Sequence, residues 1–389
     1  MPVPVPVRLA VVGAGTISQS VHLPAVHRLG ALFELAAVCD LSPSRAAEVA
    51  ARAGTGVRAT HDYAQVLADP DVDAVLLATP GTHARDARAA LEAGKHVLAE
   101  KPLCLTAAEA AVLGELAASR GLVLQVGYMK MYDPLTEVAA AELARMDTPR
   151  TVRVTVLHPA DEPQVDHLRL APAARDADPA ALREAQTYEA VRTVEALGDV
   201  PEELGRYYRD VLNGSVIHEL SVLRALGLTL PDRFEHAELW PGPISGGGEP
   251  PCLLATAALG QDARLVVNWN WLPDHPEYGE EIAVLARDGR LALNMAPPYL
   301  VDVRSSLHVE RAEDGVRQDS VLRHGYDTGF VRQLEEFAAS VRTGAPVRSD
   351  AAGAAADVRC LQALLAAIAA GRGVRVGGEA AAAGKGRPA

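Results

Sequence analysis

Cysteine is scarce in this chain, and clusters of basic residues are missing. The four cysteines, Cys39, Cys104, Cys252 and Cys360, are far apart and form neither a CxxC pair nor a Cys/His group with zinc spacing. This pattern predicts buried or semi-buried reduced thiols and no metal site, as is typical of a cytoplasmic protein. The formal net charge of -13 argues against nucleic acid or an anionic membrane as a partner.

A secretory leader and long apolar runs are also lacking. The N-terminal MPVPVPV has no basic region followed by an apolar core. The Ala/Leu-rich stretches at 107–118 and 361–370 are shorter than the ~18–20 apolar residues that a membrane span needs. We therefore expect a cytoplasmic protein without membrane contact. Because single cores stop growing near ~250–300 residues, a chain of 389 residues predicts two domains.

Strands and helices alternate over the first 130 residues. Such alternation predicts an α/β fold with a doubly wound parallel sheet, the Rossmann arrangement. The predicted strands are 8–12, 35–39, 73–78, 96–99 and 122–126, and the predicted helices begin near Thr16 or cover 83–93 and 106–120.

After about residue 150 the pattern changes to an α+β domain with a large, mostly antiparallel open sheet. Its predicted strands are 151–157, 263–271, 281–286, 290–294, 299–303, 307–311 and 316–321, and its predicted helices are 179–197, 201–211, 215–226, 327–342 and 351–370.

The predicted domains follow from these two patterns. We expect a dinucleotide-binding domain over 1–128, with helix 351–370 packing back on it, and a substrate-binding and oligomerisation domain over 129–372. A helical insertion at about 158–212 is either a lid over the substrate or a surface and oligomer contact. The Gly/Ala-rich tail, 373–389, is expected to be disordered.

A glycine-rich turn follows the first predicted strand. Backbone N–H groups of such a turn, at the start of a helix, bind a diphosphate through hydrogen bonds and the helix dipole. Gly13 permits the tight turn, Gly15 lets the diphosphate approach the backbone, and the small Ser18 stands where a third glycine is usual. We count Thr16 and Ile17, which complete the turn, among the cofactor contacts.

An acidic residue closes the second predicted strand. The carboxylate of Asp40 is placed to accept both ribose hydroxyls and to repel a 2′-phosphate, so we predict NAD as the cofactor, with NADP less favoured. Arg45 follows about one turn later. It either lies against the adenine or a phosphate, or is a solvated helix residue.

Longer motifs resemble one family, the glucose–fructose oxidoreductase, inositol dehydrogenase and rhizopine catabolism (Gfo/Idh/MocA) oxidoreductases. The resemblance rests on VVGAGTIS at 11–18, ATPGTHARDARAALEAGKHVLAEKPL at 78–103 and VGYMKMYDP at 126–134. It implies a Rossmann domain followed by an α/β domain whose open sheet mediates assembly into a dimer or tetramer. It also implies hydride exchange between a nicotinamide and a carbinol carbon of a sugar, an aminosugar or a cyclitol.

The resemblance further implies roles for residues that follow the later strands of the Rossmann domain. The Lys101–Pro102 peptide is expected to be cis. Lys101 would hydrogen-bond the reacting hydroxyl, Glu100 would contact the cofactor's ribose, and Thr79, Pro80 and His83 would line the nicotinamide side.

Oxidation of an alcohol also needs a base for the hydroxyl proton. A neutral histidine suits this role near pH 7, and a lysine ammonium stabilises the developing alkoxide. We predict His218 and Lys101 as this acid/base pair; the alternative for His218 is a structural helix histidine. In similar proteins the histidine lies in a D-x-G-x-H-x-x-D pattern, whose aspartates are replaced here by Gly214 and Ser221.

Nearby polar residues are candidates to replace these aspartates, which in similar proteins hold a substrate hydroxyl or orient the imidazole. Asn213, Asp210 and Glu219 lie close in sequence, and we count Asn213 among the substrate residues. Lys130 faces the pocket or the cofactor, or is a solvated lysine. Tyr128 and Tyr132 contact substrate or pack in the core. The tryptophans at 269 and 271 share one strand face, where they stack on a sugar or, as we favour, fill a dimer interface.

The leading interpretation is an NAD(P)-dependent dehydrogenase or ketoreductase that acts on a sugar, aminosugar or cyclitol hydroxyl. A second interpretation is a lyase or glycoside-cleaving enzyme that oxidises its substrate transiently and regenerates the cofactor. A third is a non-catalytic dinucleotide-binding sensor, against which the presence of Lys101 and His218 argues.

Overall fold

The computed structural model describes residues 5–172, 175–240, 249–300 and 302–383. The chain divides into two compact units. The first unit contains Met1–Met129, Glu162–Arg192 and Phe330–Ala355; the second contains Lys130–Asp161, Thr193–Gly329 and Ala356–Ala389. The stretch expected as a helical insertion is thus shared between the two units. The domain limits given above, 1–128 and 129–372, stay a prediction.

The first unit is built on a six-stranded parallel sheet of order β3-β2-β1-β4-β5-β6. This is the Rossmann order, and it confirms the predicted fold class. All four residues of Ala74–Leu77 are buried, as a parallel strand covered on both faces requires. The strands are β1 (Val7–Val12), β2 (Phe33–Cys39), β3 (Arg58–Thr60), β4 (Ala74–Leu77), β5 (His96–Glu100) and β6 (Leu124–Gly127).

Side-chain caps begin several helices of this unit. Ser42, Asp62 and Thr106 each accept a hydrogen bond from a backbone N–H of the helix that follows. Three of the five helices were predicted, namely the one that begins near Thr16, 83–93 and 106–120, whereas α2 and α3 were not. After a π-helical turn at Ser18–His22 come α1 (Leu23–Arg28), α2 (Pro43–Ala53), α3 (Tyr63–Ala68), α4 (Ala84–Glu92) and α5 (Ala107–Arg120).

The second unit carries an eight-stranded sheet of order β14-β13-β12-β11-β7-β10-β9-β8. Only the central pair β7 and β10 is parallel, which confirms the mostly antiparallel sheet. The strands are β7 (Pro149–His158), β8 (His236–Trp240), β9 (Cys252–Leu259), β10 (Ala263–Trp271), β11 (Gly279–Ala286), β12 (Gly289–Asn294), β13 (Ser306–Glu313) and β14 (Val316–Leu322).

One predicted strand is wrong. In the stretch 299–303, of which residue 301 lies outside the described residues, the amides of Leu300 and Val303 donate to Pro297 O and Leu300 O in successive turns. Pro297 and Pro298 lack the N–H groups that a sheet ladder needs, so the apolar residues after them do not join the sheet.

The remaining helices include the predicted helix 179–197, which is confirmed. A π-helical stretch, Tyr208–Val216, runs directly into α10. The helices are α6 (Pro134–Leu143), α7 (Glu162–Val165), α8 (Pro179–Leu197), α9 (Glu202–Tyr207), α10 (Ile217–Ala225), α11 (Gly329–Thr343), α12 (Ala351–Gly371) and α13 (Ala380–Ala383).

Two expectations about the C-terminal part need correction. The predicted apolar stretch 361–370 is part of the longer helix α12, whose 21 residues are long and apolar enough to cross a membrane. However, 67% of its most apolar segment is buried within the protein, as in the core helix of a protein without a membrane span. The tail is ordered up to residue 383, because Gly377 N donates to Leu197 O at 2.6 Å and Glu379 N to Glu195 O at 3.1 Å. Residues 384–389 lie outside the described residues, as do 241–248.

The tryptophans of β10 lie on the buried face of the second sheet. Trp269 is 2% exposed and its Nε1 donates to Ser215 Oγ at 2.9 Å. Alternation along the strand places Asn268 and Asn270 on the opposite face instead. The interpretation of the tryptophans as filling for a dimer interface is therefore wrong for Trp269. All four cysteines are buried thiols, as the sequence predicted.

Candidate active site

The glycine-rich turn at the end of β1 has the geometry that a diphosphate requires. Gly13 has φ +93°, and a Cβ added there would lie 2.5 Å from Ala78 O, so only glycine fits. A Cβ added at Gly15 would meet nothing within 4 Å, so there is open space above this residue. Ser18 Oγ donates to Gly13 O and ties the helix to the turn. The residues present therefore fit a dinucleotide.

The two residues between Gly15 and Ser18 differ in exposure. Thr16 is exposed, and its carbonyl accepts from Ser20 Oγ at 2.7 Å. Ile17 is half-buried and packs against the core cluster that contains Val11 and Leu76. Of the two, Thr16 is the one that faces solvent beside the turn.

Asp40 is held rigidly where β2 ends. Its Oδ2 accepts from Ala14 N at 2.8 Å and its Oδ1 from Ser42 N at 2.9 Å. The carboxylate thus lies against the glycine-rich turn, where the second strand of a Rossmann fold presents the group that recognises the ribose. Arg45 lies in the first turn of α2, and its guanidinium is 3.5 Å from Pro172 O.

His83 braces the loops that follow β4 and β5. Its Nδ1 is 3.0 Å from Pro102 O and its Nε2 is 3.0 Å from Thr79 O. Burial lowers the pKa of this imidazole, so it is neutral near pH 7 and donates through one nitrogen at a time. The Lys101–Pro102 peptide is cis, as predicted. His83 therefore fixes Thr79, Pro80 and Lys101 at the carboxyl edge of the sheet.

Glu100 is anchored by a histidine that the sequence analysis missed. His22 Nε2 is 2.8 Å from Glu100 Oε1, and Lys101 N donates to Glu100 Oε2 at 3.2 Å. Burial alone would raise the pKa of the Glu100 carboxyl, but the hydrogen bond from His22 and the neighbouring cationic groups outweigh it and lower this pKa. The result is a buried, ionised carboxylate beside the Lys101 backbone.

His218 lies in the first turn of α10 in the second unit. It is 9% exposed, and its carbonyl accepts from Ser221 Oγ at 2.6 Å. Ser221, which stands where similar proteins have an aspartate, thus bonds to the backbone of the helix. Asn213 is fully buried and its Nδ2 donates to Tyr208 O at 2.9 Å. Its side chain supports the π-helical stretch, and a contact with substrate stays a prediction.

Lys130 is a buried cation between two buried acidic side chains, Glu219 and Glu280. Its ammonium pairs with Glu280, lies 3.4 Å from Glu219 Oε1 and lies 3.3 Å from Tyr278 Oη, and Tyr278 Oη donates to Glu280 Oε2 at 2.6 Å. The interpretation as a solvated lysine is wrong, because Lys130 is 4% exposed. Burial opposes the charge of Lys130, but the two carboxylates raise its pKa overall.

Burial and the charge of Glu280 also act on the other acidic side chain of the cluster, Glu219. They raise the pKa of Glu219 to about 8, despite the opposing effect of Lys130. Near neutral pH the Glu219 carboxyl therefore keeps its proton. Glu219 does not supply the missing aspartate of the His218 motif as an anion.

This proton makes stability depend on pH. The folded protein keeps this proton up to about pH 8, whereas the unfolded chain releases it at about pH 4.3. Unfolding between these pH values therefore releases a proton. As a result, the free energy of unfolding falls as pH rises, by up to ~1.4 kcal/mol per pH unit. Glu219→Gln has no such proton. We expect its stability relative to the wild type to rise between pH 5 and 8 and to level off above pH 8.

Urea unfolding at pH 5, 6, 7, 8 and 9 measures this difference. The matched control is Glu115→Gln on the exposed side of α5, which should follow the wild type. Parallel curves for Glu219→Gln and the wild type would show that Glu219 is ionised throughout.

An aromatic cluster lies beside Lys130. The imidazole of His158 is 5.4 Å from the Trp271 ring, nearly parallel to it, and 5.7 Å from the Tyr278 ring. All three side chains are half-buried, and Lys130 Nζ is 5.8 Å from the centre of Tyr278. His158 and Tyr278 were missed by the sequence analysis. Tyr128 and Tyr132, which it did single out, are fully buried, and their contact with substrate stays a prediction.

The sheet order, the glycine-rich turn and the anchored carboxylates are those of a Rossmann domain that binds a dinucleotide. Residues 7–128 match the family model described as "Oxidoreductase family, NAD-binding Rossmann fold", that of Gfo/Idh/MocA. Over these residues the chain matches the Gfo/Idh/MocA oxidoreductases, which confirms the resemblance found in the sequence.

Curated relatives match a segment that makes up about a third of the chain. Inositol 2-dehydrogenase 3 of Saccharopolyspora erythraea is 41% identical over 129 residues, which are 33% of this chain and 37% of that protein. The dTDP-3,4-didehydro-2,6-dideoxy-alpha-D-glucose 3-reductase of Saccharopolyspora spinosa is 40% identical over 128 residues, 33% of this chain and 38% of that protein. The matched segment therefore spans little more than a third of either relative.

Solved structures match nearly the whole chain in fold. A 3-ketoreductase from Actinomadura kijaniata, in complex with NADP and TDP-benzene, has a TM-score of 0.68 at 22% identity and covers 95% of this chain and 98% of its own. A UDP-N-acetylglucosamine 3-dehydrogenase from Acidithiobacillus ferrooxidans has a TM-score of 0.67 at 21% identity and covers 94% and 99%. At this identity the likeness shows the fold of both units.

Proposed function

We propose that the chain is an NAD-dependent oxidoreductase that transfers hydride between the nicotinamide and a secondary alcohol or ketone of a sugar, aminosugar or cyclitol. One observation carries the proposal: Lys101 follows a buried carboxylate, Glu100, at the same sheet edge as the glycine-rich turn. A ligand of a doubly wound sheet binds outside this carboxyl edge. The names of the relatives, an inositol dehydrogenase and nucleotide-sugar reductases, support this substrate class.

Different residues of the chain would bind the cofactor and act on the substrate. Gly13 and Gly15 would hold the diphosphate and Asp40 the ribose hydroxyls. The bound nicotinamide supplies the hydride acceptor. The Lys101 ammonium would donate to the substrate oxygen and stabilise it as its proton leaves, and His218 would take that proton as a neutral base. Lys101 belongs to the first unit and His218 to the second, so their pairing is part of the proposal.

The second unit contributes a surface that suits a polyol. The half-buried rings of His158, Trp271 and Tyr278 offer apolar faces for the C–H side of a sugar or cyclitol. The opposite face of the second sheet, which carries Asn268 and Asn270, is the proposed contact of a homodimer or homotetramer. The cytoplasmic location expected from the dispersed cysteines stays a prediction.

The activity is tested by incubating the protein with NAD and a panel of cyclitols, free sugars and nucleoside-diphosphate sugars. We expect at least one polyol to raise the absorbance at 340 nm, with a thermal-shift screen in the presence of NAD to select substrates. A product that accumulates with no change at 340 nm would favour transient oxidation with recycled cofactor. Absence of NAD binding by calorimetry would contradict both enzymatic interpretations.

A further inference from the structure

A carboxylate of the chain itself lies at the N-terminus of α2. Asp176 Oδ1 accepts from Ser42 Oγ, and Asp176 Oδ2 accepts from Ser44 N at 3.0 Å. These hydrogen bonds lower the pKa of Asp176 to about 2, so the group is an anion at any physiological pH. Helix α2 has 11 residues, and its first-turn N–H groups and dipole favour an anion here.

This position matters because of what precedes it. Asp40, at the end of β2, is the group that would accept the ribose hydroxyls, and its Oδ1 already accepts from Ser42 N. A phosphate on the ribose 2′ oxygen would extend beyond Asp40 toward the residues that follow β2. The donors available there are Ser42 Oγ, Ser44 N and the guanidinium of Arg45. Asp176 engages the first two of them.

The stretch that carries Asp176 is tied to the nucleotide-binding helices at other points of the first unit. Ala171 N donates to Gln19 Oε1 at 2.7 Å, and Gln19 Nε2 donates to Ala14 O of the glycine-rich turn at 2.8 Å. Arg52, near the end of α2, donates to Arg169 O at 3.2 Å. The chain a few residues before Asp176 is thus tied to the nucleotide-binding helices at two points, and Asp176 itself makes two hydrogen bonds to the start of α2.

We propose that Asp176 is a specificity residue that excludes the 2′-phosphate of NADP by occupying its donors and placing a second negative charge beside Asp40. The inference rests on the proposed dinucleotide site. NAD has a neutral 2′-hydroxyl, which donates to Asp40 and needs none of the donors that Asp176 uses. NADP would have to displace Asp176 and place its phosphate between two carboxylates, and like charges at this range repel. Ser42, Ser44 and Arg45 would then form an NADP site that the chain itself blocks.

Binding of NAD and NADP, measured by isothermal titration calorimetry without substrate, tests this inference. For Asp176→Asn we expect NADP to bind at least about tenfold more tightly than to the wild type, with the Kd of NAD changed less than about threefold. The charge control is Asp178→Asn, which removes an anion that caps Ala180 N in the same stretch. The tether control is Arg52→Ala, which releases Arg169 O and leaves the Asp176 carboxylate in the chain.

The outcomes separate this inference from the proposed function. A wild type that binds neither dinucleotide overturns the proposed function and this inference with it. A wild type that binds NAD, with an NADP to NAD ratio that Asp176→Asn leaves unchanged, overturns this inference alone. This inference is also overturned if either control raises the affinity for NADP as much as Asp176→Asn does. A gain in Arg52→Ala would be explained by a loosened chain around Arg169, and a gain in Asp178→Asn by the loss of any negative charge in this stretch. Melting temperatures of all three variants confirm that they fold.

Discussion

Replacement of Lys101 by alanine is expected to lower kcat/KM by about 10²–10⁴-fold while the Kd of NAD stays within about threefold. The reason is that the ammonium would act on the substrate oxygen as its proton leaves, whereas the dinucleotide is held by the turn at Gly13 and by Asp40. Steady-state kinetics with a substrate from the polyol panel measures the first quantity, and calorimetry with NAD measures the second.

Lys101→Arg serves as the companion variant, because it keeps the charge and alters the shape of the donor. We expect it to lie between Lys101→Ala and the wild type. An alanine variant that keeps more than a tenth of the wild-type kcat/KM would remove Lys101 from the chemistry. Loss of NAD binding in parallel with activity would mean that Lys101 only shapes the cofactor site.

Replacement of Lys130 by methionine is expected to reduce the free energy of unfolding by about 3–5 kcal/mol, because it leaves Glu280 as a buried carboxylate without its cation. Glu280 is 3% exposed and Lys130 is 4% exposed, so water cannot take over the solvation. Urea unfolding at pH 7 measures the loss. Tyr278 stays as a hydrogen-bond donor to Glu280 in this variant, which limits the loss but does not replace the charge.

A double variant distinguishes the missing charge from the missing side chain. Lys130→Met combined with Glu280→Gln removes both charges and should recover more than half of the lost stability. The exposed counterpart is Arg145→Met. The Arg145 side chain is 64% exposed and lies 3.3 Å from Glu142, so its loss should cost less than about 1 kcal/mol. If the double variant is as unstable as Lys130→Met alone, the effect comes from packing and not from charge.

Most strands of the first sheet could be predicted because each has a clear signal in the sequence. Parallel strands buried on both faces read as short continuous apolar runs, and Ala74–Leu77 is such a run. The edge strand Arg58–Thr60 was missed since its residues are largely exposed and polar. Cys252–Leu259 was missed for a different reason: it contains three alanines, which have low strand propensity, and it is held by pairing on both sides.

The cofactor half of the candidate site could be foreseen, whereas the ionic cluster of the second unit could not. Gly13, Asp40 and Lys101 lie at fixed offsets from strand ends, so local pattern places them at one edge. Lys130 and Glu280 are 150 positions apart, and no spacing rule joins them. His22 is an intermediate case: it lies four residues after Ser18, on the same helical face toward the sheet, a signal the sequence offered.

Two buried histidines, His22 in the first unit and His218 in the second, lie at or just after a π-helical stretch. His22 ends the stretch that begins at Ser18, and His218 comes two residues after the stretch Tyr208–Val216. A π-helical stretch holds one residue more than an α-helix of similar length, and each residue of an α-helix turns by about 100°. Deleting a single residue before either imidazole would rotate it to another side of its helix. We therefore expect residues of these two π-helical stretches to tolerate substitution better than insertion or deletion.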